Sequence, residues 1–203
     1  MKQNDNIIEK LLEKAICIYH YGSYVYGTFE KDKSDYDYIV IIPNEYKEYD
    51  FEQFEQEKNQ YSFYTEKSWQ NKLDNNDVDA IEMFFLPQQY KIKENKGFYT
   101  EIKKEKIREN FSKVASNSYV KCKKKLEVVE SYNPRIGKKS LWHSLRILYF
   151  GIQILTNGKI SDYTEANYLY EPIVSSDNNK WEYYKITYKP LYNELKTKFR
   201  LLG

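Results

Sequence analysis

Apolar positions in the first ninety residues alternate between a helical period and short continuous runs. Ile7, Ile8, Leu11 and Leu12 recur at helical spacing behind Asp5, which can cap that helix. Apolar runs at about 15–21 and 36–42 read as strands, the second (Tyr38-Ile39-Val40-Ile41-Ile42) stopped by Pro43-Asn44. Glu45 to Lys58 is acidic and polar and reads as a loop with room for one helical turn. The pattern then predicts a third strand near 60–65, a helix over about 66–75 with Trp69 and Leu73 as an i, i+4 pair, and a fourth strand over Ala80–Leu86 before Pro87.

Beyond residue 100 the strand signal thins. Glu101–Lys125 reads as a charged amphipathic helix with Ile102, Ile107, Phe111, Val114 and Ala115 as its buried stripe. Asn133-Pro134 marks entry to a second helix, in which Leu141, Leu145, Leu148, Ile152 and Leu155 keep close to a 3.6-residue period; Asn157-Gly158 ends it. The last forty residues predict one or two further helices, with Lys189-Pro190 as a boundary before Leu191–Leu202. The expected fold class is α+β: a small mixed β-sheet core with flanking helices over residues 1–100, followed by a C-terminal helical domain over residues 101–203.

Charge sharpens this division. Residues 1–100 hold 12 Lys and Arg against 19 Asp and Glu, a balance of −7, whereas residues 101–203 hold 20 against 11, a balance of +9. An acidic half facing a basic half suits a cleft that closes over polyphosphate or nucleic acid. The 22 tyrosines offer rings for base stacking, but with abundant Lys, Asn and Ile they are explained first by AT-rich codons. Cys17 and Cys122 are far apart, with neither a C-x-x-C spacing nor neighbouring histidines, which argues against structural zinc and disulfides and for a reduced, cytoplasmic protein. The amino terminus lacks the apolar core of a signal peptide and no run reaches the roughly 20 apolar residues of a membrane span, so a soluble chain without a membrane partner is expected.

The chemistry is concentrated at residues 22–37. Gly22-Ser23-Tyr24-Val25-Tyr26-Gly27 makes a tight turn after the first strand, and Ser34-Asp35-Tyr36-Asp37 opens the second. Side chains alternate across a strand, so Asp35 and Asp37 share a face and can share one or two hard divalent cations, Mg²⁺ by preference and Mn²⁺ as a substitute. Gly22 permits close backbone approach, turn N–H groups can hold phosphate, and Ser23 adds a hydroxyl donor. Residue by residue this is a glycine loop with a Ser-Asp turn; as an ordered set between two apolar strands it points to a phosphate-and-metal site.

The pattern Gly-Ser-x-x-Tyr-Gly followed by Ser-Asp-Tyr-Asp-Tyr and an apolar strand resembles the DNA polymerase β-like nucleotidyltransferase superfamily. It is most similar to the stand-alone bacterial and phage branch associated with RNA repair. The resemblance is strong at 19–42, moderate at 64–87 and 138–158, and faint elsewhere. It implies a metal-dependent transfer of NMP from NTP to a hydroxyl with release of pyrophosphate, catalysed through Asp35 and Asp37 and a third acid from a later strand. Gln60, Tyr61 and Ser62 occupy the place where that acid is expected, and none can replace it. Glu82 is the first substitute, as an acid interrupting an apolar strand; Asp79 and Glu66 are others, and absence of the acid is a third reading. Glu82 can equally be read as an ion-pair partner of a basic helix.

His143 and Arg146, at i and i+3 on a face opposite the leucine stripe, resemble the family's His-x-x-Arg helix over the nucleotide. That resemblance implies an Arg146 phosphate clamp and a His143 donor, with Lys138 and Lys139 extending the positive field. Gly22, Ser23, Gly27, Lys138, Lys139, His143 and Arg146 are therefore the expected nucleotide-binding set. The acceptor can be RNA, DNA, a small molecule or a protein. The competing reading is a catalytically impaired nucleotide- or nucleic-acid-binding inhibitor on the same fold, phage-encoded and directed at a host defence system; the missing acid at 60–62 supports it.

Overall fold

Helix α1 (Lys2–Lys14) starts ahead of Asp5, so Asp5 lies within its first turn, where a carboxylate favours the positive helix end, and is not the cap expected from the sequence. The computed structural model describes residues 2–202, with side chains from residue 5 onward. Two compact units divide the chain, Met1–Glu101 and Ile102–Gly203. No helix among the described residues is long and apolar enough to cross a membrane.

In the first unit, β1 (Cys17–Tyr21), β2 (Tyr36–Ile42), β3 (Gln53–Gln56), β4 (Asn59–Thr65) and β5 (Lys91–Glu94) form one mixed sheet in the order β3-β4-β2-β1-β5. The β2–β4 pair is parallel; the remaining pairs are antiparallel. Strand alternation gives the sheet two distinct faces. Val40, Ile42, Tyr61 and Phe63 face Ile8, Leu11 and Ala15 in one core cluster. The opposite parity, including Tyr19, Ile39 and Ile41, falls on the face that carries Asp37. Helix α2 (Glu66–Asp74) follows β4 and is capped by the Thr65 side chain, which accepts from Ser68 N–H. Its Trp69 and Leu73 are both buried.

Three expectations for this unit are corrected. Ala80–Leu86 is not a strand: residues Val78–Phe84 form helix α3. Val78, Ala80, Ile81, Glu82 and Met83 are all buried, and a short helix buried around most of its circumference leaves the same continuous apolar run as a strand. The stretch read as a loop holds a 3-10 turn at Asn44–Tyr49 and then strand β3. Strand β5 was also unexpected. Both are four-residue edge strands with charged or amide side chains, a composition that blunts exposed sheet edges and hides the strand pattern.

The second unit is helical: α4 (Lys104–Glu127), α5 (Pro134–Asn157), α6 (Tyr170–Val174) and α7 (Trp181–Leu202). Helix α5 has the predicted ends. Asn133 accepts from Ile136 N–H at 3.1 Å, Pro134 takes the first turn, and Gly158 closes the helix at φ +75°. Helix α7, however, runs through Pro190 without a boundary. Pro190 and Ile186, one turn earlier, are both exposed, so water can serve the carbonyl that loses its partner. Trp181, Tyr184, Tyr188, Tyr192, Leu195 and Phe199 continue a buried stripe across the proline.

Candidate active site

The antiparallel register of β1 and β2 places Tyr21 opposite Asp37, so the chain leaves β1 at the end where β2 begins. There it makes a 3-10 turn at Gly22–Tyr24. Gly22 O accepts from Val25 N–H (3.1 Å) and Tyr26 N–H (3.2 Å), and Ser23 O accepts from Thr28 N–H (3.0 Å). Gly22 and Gly27 have φ of +68° and +71°, where a side chain is strained. Space is also limiting at Gly22: a Cβ there would stand 2.1 Å from Asp37 Oδ2. The predicted phosphate turn and the second predicted metal ligand are thus in direct apposition.

Asp35 is exposed immediately before β2, and Asp37 is half-buried within it. The preceding loop is fixed by Ser34 N–H donating to Glu30 O at 2.8 Å and Glu30 N–H donating to Ser34 Oγ at 3.1 Å. Register then identifies the neighbours of Asp37. Gln60 of β4 lies beside it in the parallel pair, and Glu55 of β3 lies opposite Gln60. Tyr21, Asp37, Gln60 and Glu55 therefore form one row across one face. The Gln60 amide donates to Glu55 Oε1 at 2.9 Å. An amide occupies the place next to Asp37, and the nearest carboxylate in the row is one strand further out.

Each of the three alternative acids has a partner. Asp79 pairs with Lys72 Nζ at 3.1 Å, and Glu66 pairs with Lys96. Glu82, expected on a strand, lies on α3 with no solvent exposure, where Tyr26 Oη donates to its Oε2 at 2.5 Å. Tyr26 belongs to the Gly22–Gly27 turn, so this bond ties the turn to α3. Among the described residues, no group of three or more His, Cys, Asp or Glu is close enough to hold a metal ion. Asp35 and Asp37 nevertheless suit one Mg²⁺: that ion commonly takes one or two protein carboxylates and completes its octahedron with water and phosphate.

The predicted helix set separates within the second unit. Lys138 is buried and donates to Ser176 O at 2.5 Å. Arg146 is not on a free face opposite the leucines, because α5 is buried around most of its surface. Arg146 is 1% exposed, and its guanidinium carbon sits 5.3 Å from the Trp142 ring centroid and 5.0 Å from the Phe150 ring centroid. Arg146 Nη2 donates to His143 Nδ1 at 2.8 Å. Lys139 and His143 line a cavity of about 340 Å³ with Ser118, Lys121, Ile136 and Ser140.

The register sets Gln60, which the resemblance places where the third acid is expected, beside Asp37; sequence reasoning missed Glu55 in the same row, the Tyr26–Glu82 bond, and the contribution of Ser118 and Lys121 to the cavity wall. It also missed an aromatic cluster beside the turn, in which Tyr24 contacts His20, Phe29, Tyr36 and Tyr90. Burial pushes the His20 imidazole below its ordinary pKa.

The mixed sheet brings the Gly-Ser turn against the Asp-x-Asp strand, the arrangement that the resemblance at residues 19–42 implies. Residues 5–114 match the nucleotidyltransferase domain family, and the chain belongs to that family, within the DNA polymerase β-like superfamily. No curated protein matches the chain. Nucleotidyl transfer is accordingly the general chemistry of its family.

Proposed function

We propose that this chain moves a nucleoside monophosphate from an NTP to a hydroxyl acceptor, with Asp35 and Asp37 binding Mg²⁺ or Mn²⁺ and the Gly22–Gly27 turn binding the phosphates. The apposition of Gly22 and Asp37 carries this reading. A turn able to receive phosphate and a carboxylate able to receive the cation occupy adjoining positions, as a metal–nucleotide complex requires.

In the reaction the acceptor oxygen bonds to the α-phosphorus, the bond from that phosphorus to the pyrophosphate oxygen breaks, and the hydroxyl proton leaves to water. A bound divalent ion would neutralise phosphate charge and activate the attacking oxygen. Ser23 Oγ and the turn's backbone N–H groups orient the polyphosphate. Glu82 holds the turn through Tyr26. The acceptor class follows from charge: 13 Lys and Arg against 4 Asp and Glu over residues 103–150 favour a polyanionic acceptor such as RNA or DNA over a neutral small molecule or a protein.

The test is incubation of the full chain with each α-labelled NTP, Mg²⁺ or Mn²⁺, and total RNA or cell lysate. Label in a macromolecular fraction is expected. NTP binding without any transferred label would favour the second reading, an impaired nucleotide-binding protein, which the amide of Gln60 beside Asp37 specifically supports.

Gln60→Asp distinguishes a slow enzyme from an inert one. It places a carboxylate in the strand position neighbouring Asp37 and removes the Gln60–Glu55 hydrogen bond. Without cation, the new charge beside Asp37 and Glu55 should lower thermal stability. Mn²⁺ should restore more stability than it confers on the wild type, and label transfer should rise by about tenfold, equivalent to about 1.4 kcal/mol of barrier. An unchanged Mn²⁺ response would remove position 60 from the metal site.

The Tyr26–Glu82 bond gives a separate prediction. Tyr26→Phe removes one hydrogen-bond donor from a buried carboxylate and should destabilise the first unit by about 1–3 kcal/mol, read from the urea midpoint of Trp69 fluorescence in variants lacking Trp142 and Trp181. NTP affinity should fall while the Mn²⁺ concentration dependence stays unchanged, because Glu82 acts on the turn. A shifted Mn²⁺ dependence in Glu82→Gln but not in Tyr26→Phe would return Glu82 to the metal.

A further inference from the structure

The geometry of the first unit points to a guanine-binding pocket on the Asp37 face of the sheet, in which aromatic rings stack the base, Glu94 accepts from its N1–H and N2–H, and Lys91 donates to its O6. This rests on the transferase reading only in assigning that guanine to the NTP.

The first observation is a register shift. Residues three apart on a regular strand point to opposite faces. Yet Lys91 pairs with Tyr19 and Glu94 with Cys17, two β1 residues of one parity. Ile18 and Tyr19 are partnered by Lys93 and Lys91, so Ile92 is the extra residue of β5, and it is 53% exposed. Such shifts re-aim side chains and recur beside functional sites. Here the shift puts a carboxylate and an ammonium on the face that carries Tyr21 and Asp37. Tyr19 lies two residues from Tyr21, about 7 Å along the strand. A ribose joining a base to its α-phosphate spans that separation.

The second observation is the cavity these residues line. It holds about 250 Å³, and the rings of Tyr19, Trp69, Phe84 and Phe98 share its wall with Lys91 and Glu94. Pockets that enclose whole drug-sized ligands run to roughly 300–1,000 Å³, so this one suits a single planar ring system held between aromatic side chains. Gly97, also in the wall, is exposed, and an added Cβ there would meet nothing within 4 Å, so the wall is open at that point. Lys91 Nζ donates to Glu94 Oε1 at 2.8 Å, and the Tyr19 hydroxyl, on a residue 4% exposed, donates to the same oxygen at 3.2 Å. Burial, then the neighbouring Cys17 and Glu94, raise the Tyr19 pKa, so the hydroxyl stays protonated. Two bonds thus fix the carboxylate through one oxygen.

The choice of base follows from donors and acceptors. A carboxylate has about two lone-pair sites on each oxygen and only accepts; an ammonium has three hydrogens and only donates. With Oε1 occupied, Oε2 of Glu94 can take two N–H groups and Lys91 can give one more bond. Guanine presents two adjacent donors, N1–H and N2–H, next to the acceptor O6. Adenine, cytosine and uracil each present one donor group on the corresponding edge.

The test titrates the ¹⁵N-labelled full chain with GMP, IMP, AMP, UMP and CMP in EDTA, so that no cation contributes. The Trp69 indole N–H, assigned as the signal missing from Trp69→Phe, should shift saturably with GMP. IMP, which lacks the 2-amino group, and the other three nucleotides should bind more weakly by a factor on the order of ten. Glu94→Gln, at an exposed position on an edge strand, should keep the folded spectrum and lose the preference for GMP over IMP. Equal binding of GMP and IMP, no saturable Trp69 shift, or an unchanged preference in Glu94→Gln overturns the proposal. In the label-transfer assay α-labelled GTP should be the preferred donor, and preferential transfer from another NTP overturns the assignment of the guanine to the donor. GMP selectivity without label transfer from any NTP would instead remove the transferase reading and leave the pocket standing.

Discussion

Replacing Asp35 and Asp37 together by asparagine is expected to lower label transfer from an α-labelled NTP by a factor on the order of 10³ or more, because cation binding contributes several kcal/mol to the transition state. Asparagine keeps the shape of the side chain and its oxygen but loses the negative charge. Asp35 is exposed and Asp37 half-buried at the start of β2, so the urea midpoint of the double variant should stay close to that of the wild type. The single variants should differ. Asp37 is fixed by the β1–β2 register and by its contact with Gly22, whereas Asp35 precedes the strand; Asp37→Asn should therefore be the more damaging. Single-turnover transfer at saturating NTP, measured across a Mn²⁺ series, checks this. Transfer that persists in the folded double variant would show that these carboxylates do not hold the reactive cation.

What could be read from the chain depended on how directly each residue's surroundings follow from its neighbours in sequence. The strand Tyr36–Ile42 and the helix opened by Asn133-Pro134 and closed by Gly158 have strong local signals, and they appear with the expected ends. Helix α3 does not, because burial of both its faces erases the difference between a 3.6-residue and a continuous pattern. Pro190 misled for another reason: the missing hydrogen bond falls on the exposed side of α7, while the tertiary packing of Trp181, Tyr188 and Phe199 keeps the helix whole. The site divides in the same manner. Gly22, Ser23, Asp35 and Asp37 announce themselves by order along a short segment. Gln60 is placed by the resemblance where the third acid is expected, and the β2–β4 register sets it beside Asp37; Glu55 joins that row only through β3, a short polar edge strand whose pattern reads as loop. The Tyr26–Glu82 bond spans 56 residues and depends on α3 being a helix. For Arg146 the i, i+3 spacing to His143 was legible and correct, but its burial between two rings on its own helix was not, since a charged residue is ordinarily assigned to the outer face.

Gly22→Ala should lower transfer by about 10²-fold, although it removes no functional group. Two costs coincide at this position. The backbone φ of +68° disfavours any side chain by about 1–2 kcal/mol, and the added Cβ would stand 2.1 Å from Asp37 Oδ2, a separation that cannot persist. Either the turn withdraws from β2 or the Asp37 carboxylate swings aside, and each response separates the phosphate contacts from the cation. A displacement of about 1 Å is enough for a loss near 10²-fold. Gly158→Ala is the matched control: its φ is +75°, yet its added Cβ meets nothing within 4 Å. It should therefore lose stability to a similar backbone cost and retain transfer. If both variants lose stability comparably while only Gly22→Ala loses transfer, with both the KM for NTP and the Mn²⁺ requirement raised, the effect belongs to the Gly22–Asp37 contact. Equal retention of activity in the two variants would mean that the turn and Asp37 do not act on one metal–nucleotide complex.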